Sequence, residues 1–367
     1  MASNKNQHYV PRCYLKSFTL DGSGVAINVF NIDRKIFIEK APVKNQCSGN
    51  YFYGADLVLE KELQKYEGDY ATGIKEILSE KYELSDKHRE LLKQFWLLQY
   101  LRTDAASRKV VEMSIGVENF SGLSAGEFRL QLKEAVKISM NIFAEMPDML
   151  SDLKVCLVRN RTNLPFVTSD DPAVLSNRWY MQDGRTKGMS FGLPSAGAIM
   201  FLPLSPAVLC IIYDGDVYNI PHKNGWIDVR HERDISAYNQ HQFLNCRANI
   251  FHREFQDEGV LAKEFEVIQR HRIASRYKIT YAVLDRVEGN RKVFRAVRKE
   301  QAGDREGAMI HMQTINATPP SWPLQFMWRN RGVAFTNGSA IGYVRKEKTY
   351  AYPANSFAKP FVKVYIN

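Results

Sequence analysis

The sequence lacks the patterns that mark several large protein classes. No apolar run approaches the ~20 residues that span a bilayer, and the N-terminus has no apolar core of the kind found in signal peptides. The five cysteines are widely spaced and form no Cys-x-x-Cys pair, which argues against a disulfide framework and against a zinc knuckle. We therefore expect a cytoplasmic protein with no membrane partner, whose cysteines are reduced and mostly buried.

Motifs of several common enzyme classes are also missing. The chain has no Gly-x-x-x-x-Gly-Lys-Ser/Thr loop, no Gly-x-Gly-x-x-Gly after a strand and no His-Glu-x-x-His. P-loop ATP hydrolysis, Rossmann redox chemistry and zincin proteolysis therefore lose support. No period of about 20 to 50 residues repeats and no low-complexity segment appears, so a solenoid is not expected.

Basic residues outnumber acidic ones. Fifty Lys and Arg against 40 Asp and Glu leave a net charge of +10, which favours polyanionic partners such as nucleic acid or nucleotide phosphates. The basic residues are dispersed and form no dedicated arm, so a basic surface without such a partner is an equally good interpretation. A hydrophobic fraction of 45% with 12% aromatic residues predicts a well-buried core.

The spacing of apolar residues predicts an α+β fold. In the first half it indicates a β-hairpin around Asp33 and Arg34, then helices at 56–80, from Ser85 past Val110, and at about 125–144. After residue 151 it indicates a hairpin at 155–168, strands at 199–204 and 208–213, helices at 232–246 and 259–276, and a hairpin at 279–297. We predict a helical lobe packed on a largely antiparallel sheet. Residues 1–150 would form the N-terminal hairpin and helical lobe, and residues 151–367 the sheet-containing lobe, packed as one unit.

The first candidate for chemistry is the segment His8-Tyr9-Val10-Pro11-Arg12. Pro11 favours the start of a helix, so His8 would lie just before a helix N-terminus. A histidine there can act as a general base, a metal ligand or a phosphate contact, although a lone histidine is more often structural. Arg12 can contact an anion at the helix N-terminus or pair elsewhere.

The second candidate is Thr168-Ser169-Asp170-Asp171-Pro172, where an apolar strand ends in two hydroxyls and two carboxylates. Carboxylates at strand ends serve as metal ligands and general bases. Adjacent side chains of an extended chain point in opposite directions, so only one of Asp170 and Asp171 can face a given pocket. The structural alternative is an Asx-type turn capped by aspartate.

The third candidate lies on the second long helix, where Gln99 and Arg102 share a face at positions i and i+3. An arginine in this position can bind a phosphate or carboxylate through two hydrogen bonds. It can equally pair with Asp170 or Asp171 as a structural bridge between the lobes.

A longer set of residues joins these three segments. It comprises Asn-Gln-His-Tyr-Val-Pro at 6–11, Tyr14, Leu15, Phe18, Gln99, Arg102, Thr103, Thr-Ser-Asp-Asp-Pro at 168–172, Pro-Leu-Ser-Pro at 203–206 and Asn239. In this set the chain resembles the domain of unknown function 4238 family over residues 6–255, most specifically at the N-terminal motif. The resemblance implies a single site without implying its reaction; the members of that site are His8, Gln99, Arg102, Thr168, Ser169 and Asp170. Members of the family often have Asp-Asn-Pro after Thr-Ser, which favours Asp170 over Asp171.

Charge and motifs together favour a nuclease-like hydrolase that acts on nucleic acid or a nucleotide. Its catalytic residues would be His8 as general base or acid, Asp170 as orienting group or ligand of Mg²⁺ or Mn²⁺, and Arg102 on a phosphate. Further substrate contacts would come from Arg12, Gln99, Thr168 and Ser169.

Two alternatives remain open. In one, the chain binds nucleic acid or a protein partner without catalysis, and the same polar residues lock the lobes together. In the other, it is an ADP-ribosyltransferase-like enzyme that uses NAD, although no glutamate stands in a matching motif.

Overall fold

The first 150 residues contain short strands and a group of long helices. A computed structural model describes residues 5–79, 82–121, 130–253, 258–289, 291–302, 309–351 and 359–366. The strands of this half are β1 (Asn6–His8), β2 (Ala26–Asn31), β3 (Ile36–Pro42) and β4 (Ser48–Asn50). The helices are α1 (Arg12–Leu15), α2 (Val58–Ile77), α3 (Asp86–Arg102), α4 (Asp104–Ser121) and α5 (Leu132–Glu145).

The second part of the chain is rich in strands. These are β5 (Lys154–Asn160), β6 (Thr168–Ser169), β7 (Val174–Ser176), β8 (Ile199–Ser205), β9 (Val208–Tyr213), β10 (Tyr218–Asn219), β11 (Trp226–Val229), β12 (Asn249–His252), β13 (Tyr277–Glu288), β14 (Arg291–Val297), β15 (Met309–Thr314), β16 (Met327–Trp328), β17 (Val333–Thr336) and β18 (Val362–Tyr365). The helices are α6 (Arg178–Gln182), α7 (Glu232–Asn245), α8 (Glu258–Ile268) and α9 (Lys299–Ala302).

The larger sheets are mainly antiparallel. The five-stranded sheet has the order β11-β5-β9-β8-β7, in which only the β11–β5 pair is parallel. The four-stranded sheet β3-β2-β12-β6 and the three-stranded sheet β14-β13-β15 are antiparallel throughout. With α2 to α5 beside these sheets, the α+β prediction is confirmed. Within the ranges that the structure describes, no helix has the length and apolar character needed to cross a bilayer.

The predicted second helix is broken at Thr103, which was not expected. α3 begins after Ser85, whose side chain caps the helix by accepting a bond from the backbone N–H of His88. At Thr103 the backbone becomes extended, with φ −71° and ψ 158°. The Thr103 hydroxyl then accepts from the backbone N–H of Ala106, at 3.1 Å, and so caps α4. The break turns the Thr103 side chain towards the segment that follows β6.

The predicted hairpin at 155–168 was wrong. β5 pairs with β9 and β11, whereas β6 belongs to the other large sheet and pairs with β12. The backbone between β5 and β6 is instead bound by side chains. Asn160 donates to the carbonyl of Leu164, and Asn239 accepts from the N–H of Val167. Because β2 pairs with the other edge of β12, strands from both halves of the chain share the sheet that ends at Asp170.

Candidate functional site

Arg102 connects the N-terminal motif to the helices. It is fully buried, and it donates to the hydroxyl of Tyr53, to the carbonyl of His8 and to the carboxylate of Glu67, each at 2.8 Å. Burial alone would lower the pKa of Arg102, but Tyr53 and Glu67 raise it above its usual value. The ion-pair partner is therefore Glu67 of α2 rather than Asp170 or Asp171, because Arg102 projects towards α2 while the next residue, Thr103, faces the other way.

The ring of His8 lies among positive charges. Burial and the guanidinium groups of Arg12 and Arg102 lower the pKa of His8, which favours the neutral imidazole. Its Nε2 is buried and has no hydrogen-bond partner, while Arg12 itself is exposed. His8 and Arg102 thus lie next to each other, but the direct hydrogen bond is to the His8 backbone carbonyl and does not involve the ring.

Gln99 occupies a polar position inside the α2–α3 interface. Two contacts between the helices flank it. The ring of Tyr70 on α2 stacks on Phe95 of α3 with centroids 3.5 Å apart, and Glu67, one turn before Tyr70 on α2, pairs with Arg102. Gln99 lies between Phe95 and Arg102 on α3. It is 0% exposed, and neither its amide nitrogen nor its amide oxygen has a partner in the structure. The Tyr70 hydroxyl is likewise buried and unpartnered.

The hydroxyls of Thr168 and Ser169 are bound inside the protein. Tyr14 donates to the carbonyl of Pro203 at 2.7 Å, so its 2.7 Å bond to Thr168 is donated by the threonine hydroxyl. Ser169 donates to the side-chain oxygen of Gln242 on α7, also at 2.7 Å. These two bonds join β6 to α1 on one side and to α7 on the other.

Asp170 is held by backbone N–H groups. Its Oδ1 accepts from Arg247 at 2.8 Å, and its Oδ2 accepts from Ala248 and Asn249 at 2.9 Å each. Burial raises the pKa of Asp170, while the same three N–H groups oppose the shift. Both carboxylate oxygens are therefore bound to the turn that precedes β12, an arrangement that satisfies buried donors and fastens the turn.

Asp171 points away from that turn and lines a pocket. Its Oδ1 accepts a 2.8 Å bond from the Thr103 hydroxyl, and its Oδ2 lies 3.6 Å from a guanidinium nitrogen of Arg276. Burial raises the pKa of Asp171 to about 6, although Arg276 and Thr103 partly offset this effect. Of the two adjacent carboxylates, Asp171 lines the pocket described next and Asp170 does not.

The Asp171 pocket has a volume of about 260 Å³ and lies between α3, α4 and the segment that follows β15. It is lined by Tyr100, Leu101, Ala105, Ala106, Lys109, Val110, Met113, Ser139, Asp171, Leu175, Asn245, Arg276, Thr314, Ile315 and Asn316. Burial and Arg276 lower the pKa of Lys109 to about 8. Burial and Asp171 raise the pKa of Tyr100 to about 12. A carboxylate, an amine and a guanidinium with an apolar wall are typical of a ligand-binding site.

Sequence reasoning did not identify most of this pocket. None of the residues predicted for the site lines it, namely His8, Arg12, Gln99, Arg102, Thr168, Ser169 and Asp170. The alternation of side chains showed that only one of the two aspartates could face a pocket, which was the one available signal for Asp171. Across the described ranges, no group of three or more His, Cys, Asp and Glu side chains is placed to hold a metal ion.

Comparison with known proteins identifies the family. No curated protein and no solved structure matches the chain. A family model described as "Protein of unknown function (DUF4238)" matches residues 6–255, which include Tyr100, Lys109, Asp171 and Asn245 but not Arg276. Since the match spans well over half of the 367 residues, the chain belongs to the DUF4238 family of proteins of unknown function.

Proposed function

We propose that the chain is a hydrolase of a phosphate ester in a nucleotide or nucleic acid, and that the Asp171 pocket is its active site. The observation that carries the proposal is a buried carboxylate with a pKa of about 6 in a pocket that also contains Lys109 and Arg276. A general base works best when its pKa lies near the working pH, and cationic side chains stabilise the charge on a phosphoryl group.

Asp171 is proposed as the general base. It takes a proton from a water molecule that attacks phosphorus, the bond from phosphorus to the leaving oxygen breaks, and the proton passes to that oxygen. Thr103 holds the carboxylate in place through the bond to Oδ1.

Lys109 and Arg276 are proposed to bind the phosphate. Lys109 is a donor while it is protonated, below its pKa of about 8. Arg276 already donates to the side chain of Asn245 at 3.1 Å and to the carbonyl of Leu244 at 3.3 Å. It therefore contributes mainly a positive charge of fixed position. The net charge of +10 favours an anionic substrate in the same way.

The second candidate function is binding of nucleic acid or a protein partner without catalysis, with the polar residues around Asp170 serving the fold. The bond of Ser169 to Gln242 and the three N–H groups on Asp170 join β6 to α7 and to residues 247–249. A separate bond of Arg102 joins α3 to the carbonyl of His8 in the N-terminal strand. Such bonds stabilise one arrangement of the lobes and require no substrate. In this case the basic surface, rather than the pocket, would contact the ligand.

The test is a turnover assay on the purified chain with RNA, single- and double-stranded DNA, nucleoside phosphates and NAD. Each substrate is incubated with Mg²⁺, Mn²⁺ or EDTA, because Mg²⁺ commonly binds through one or two carboxylates and substrate phosphates. We expect the Asp171→Asn variant to lose activity and remain folded. Asp214→Asn is the matched control, because burial raises the pKa of Asp214 to about 6 as well and Asp214 does not line the pocket.

Three outcomes separate the alternatives. Loss of phosphate-ester cleavage in Asp171→Asn alone supports the proposal. Binding of nucleic acid without turnover of any substrate supports the second candidate. Cleavage of NAD by the unmodified chain would instead favour the ADP-ribosyltransferase-like alternative.

A further inference from the structure

Most of the excess positive charge lies in one segment. Residues 270–299 contain ten Lys and Arg but two Asp and Glu, so they carry +8 of the net charge of +10. Basic residues occur throughout the chain, but outside this segment acidic residues nearly balance them. The segment consists largely of β13 and β14, and it lies beyond the family match at 6–255. A polyanion attracted to this protein by its charge is therefore expected to contact β13 and β14.

β13 and β14 form a hairpin, here called the ribbon, whose base lies at the Asp171 pocket. Arg276, the residue before β13, lines that pocket and donates to the side chain of Asn245 at 3.1 Å. Arg272 donates to the carbonyl of Cys246 at 2.9 Å. These two arginines thus fix the start of the ribbon to the C-terminal end of α7.

The far half of the ribbon projects into solvent. Among the described strands, β15 pairs with β13 from Tyr277 to Ala282, so beyond Ala282 two strands remain. Every residue from Leu284 to Gly289 is exposed, and because adjacent side chains of a strand point to opposite faces, both faces are open to solvent there. A two-stranded hairpin without further packing is marginally stable. Its length therefore indicates a contact outside this chain.

Three unpaired cations share one face of the ribbon. Lys278 and Leu284 point to the same face, because they are six residues apart on β13, and Leu284 pairs with Phe294 of β14. Lys292 and Arg298 lie two residues before and four residues after Phe294, so they point to this face as well. All three cations are exposed, and none of them forms an ion pair within the described part of the chain. We call this side of the ribbon the cationic face.

The arginines of the opposite face are already paired. Arg286 lies 2.8 Å from a carboxylate oxygen of Asp285 and 2.7 Å from one of Glu288, and Arg295 lies 3.4 Å from Asp285. Nearer the base, Ile279 on this opposite face packs against α4. An anion that binds the ribbon is therefore expected on the cationic face.

The cationic face leads to the Asp171 pocket. At its base lies a cavity of about 300 Å³ whose wall includes Lys278 and Gln313. Three lining residues of this cavity also line the Asp171 pocket: Thr314, Ile315 and Asn316. β13 has 12 residues and so extends about 40 Å from the pocket, at roughly 3.3 Å per residue. A polymer of phosphates can therefore lie along the cationic face and reach the pocket, whereas a mononucleotide cannot contact both.

We propose that the ribbon binds duplex DNA from the major groove, with Lys278, Lys292 and Arg298 on the phosphates. The major groove of B-DNA is about 12 Å wide and admits a two-stranded β-ribbon, and one helical turn of about 34–36 Å matches the length of β13. The inference rests on the proposed function where it makes a polynucleotide the substrate of Asp171. Binding itself requires no turnover.

Other polyanions fit the ribbon less well. The major groove of A-form RNA is deep and narrow, so it does not admit side chains in this way. Sites for single strands stack bases on exposed aromatic rings, whereas the aromatic residues of the ribbon are partly buried. An anionic membrane would take up the exposed side chain of Val287, but the carboxylates of Asp285 and Glu288 beside it are repelled by such a surface.

The test is binding of a labelled DNA duplex of about two helical turns to the full chain, measured by fluorescence anisotropy in EDTA at several salt concentrations. The logarithm of the binding constant should fall linearly with the logarithm of the salt concentration, with a slope of about −0.9 for each phosphate contact. In the triple variant Lys278→Gln, Lys292→Gln, Arg298→Gln the slope should be shallower by about 2.7, and binding at low salt should be at least about tenfold weaker. Lys292→Gln alone should make the slope shallower by about 0.9.

The matched control removes three charges elsewhere. Lys61, Lys75 and Lys133 occupy exposed positions of α2 and α5, and the triple variant Lys61→Gln, Lys75→Gln, Lys133→Gln should keep the slope. Because all six replaced side chains are exposed, both triple variants should melt like the unmodified protein. Equal loss of binding in the two would show that net charge alone attracts DNA, which would overturn the assignment of the ribbon.

Further outcomes separate this inference from the proposed function. Tighter binding of single-stranded DNA, double-stranded RNA or phosphatidylserine vesicles than of duplex DNA would overturn the assignment of the ribbon. So would cleavage of nucleoside phosphates by a chain that does not bind duplex DNA, a result that supports the proposed function. Binding of duplex DNA through the ribbon without ester cleavage of any substrate would support the ribbon and overturn the proposed hydrolase.

Discussion

Thr103 donates a 2.8 Å hydrogen bond to Asp171, and the same hydroxyl caps the N-terminus of α4 by accepting from Ala106 at 3.1 Å. The residue at the break between α3 and α4 is therefore hydrogen-bonded to the carboxylate that lines the pocket. Because α4 also carries Lys109, the position of the proposed general base and that of a proposed phosphate ligand depend on one side chain.

Replacing Thr103 should shift the pH dependence of the reaction. The hydroxyl bond stabilises the ionised carboxylate, so Thr103→Val should raise the pKa of Asp171 and move the acidic limb of the activity profile to higher pH. Thr103→Ser keeps the hydroxyl and should match the unmodified protein. Identical pH profiles of activity for the valine and serine variants would show that the bond does not act on the base.

Activity should have a bell-shaped dependence on pH. Asp171 must be ionised, above its pKa of about 6, and Lys109 must be protonated, below its pKa of about 8. Steady-state kcat/KM is therefore expected to peak between these values. In Lys109→Met the maximum should be lower and the alkaline limb should be lost. An alkaline limb that persists unchanged in Lys109→Met would assign it to another group.

Asp171→Asn should stabilise the fold at neutral pH. The folded-state pKa of about 6 exceeds the ordinary value of 3.8, so the native protein loses stability as pH rises from about 4 to 6 and the carboxylate ionises. Removing the charge should therefore raise the free energy of unfolding by about 3 kcal/mol at pH 7 and hardly change it at pH 3. Urea unfolding at both pH values is the measurement, and an equal effect at both would contradict the assigned pKa.

Asp170→Ala should destabilise the protein strongly. The change leaves the backbone N–H groups of Arg247, Ala248 and Asn249 without their acceptor, at a cost of about 3 kcal/mol or more. Asp170→Asn keeps one oxygen acceptor and should have a smaller effect on urea unfolding. If Asp170→Ala instead melts like the unmodified protein and loses activity, Asp170 acts in catalysis, as predicted from the sequence.

Gln99→Met should stabilise the protein. The buried amide of Gln99 has no partner, and replacing it with an apolar chain of similar length should raise the free energy of unfolding by about 1 kcal/mol. The matched control is Asn239→Leu, because the Asn239 amide accepts from Val167 and donates to Pro165, so its removal should destabilise. Equal losses of stability in both variants would show that bound water supplies the hydrogen-bond partners of the Gln99 amide.

Local patterns predicted much of the fold. The hairpin around Asp33 and Arg34, the helices α2 and α7 and the strands β8 and β9 were expected from apolar periodicity and are confirmed to within a few residues. The end of α3 at Arg102 was not expected, because neither proline nor glycine marks the break. The site was harder to predict because its members come from distant parts of the chain, so no local pattern relates Lys109 to Arg276 or Asn316.

The sequence by itself determined the α+β class, the position of most elements and the fact that Asp170 and Asp171 cannot face the same side, since these follow from residue spacing and backbone geometry. Only the tertiary structure decided which aspartate faces the pocket. The backbone N–H groups of 247–249, brought beside β6 by the pairing of β12, bind Asp170 and leave Asp171 to Thr103 and Arg276. Contacts between segments more than seventy residues apart in sequence are encoded by packing, so they cannot be inferred from local periodicity.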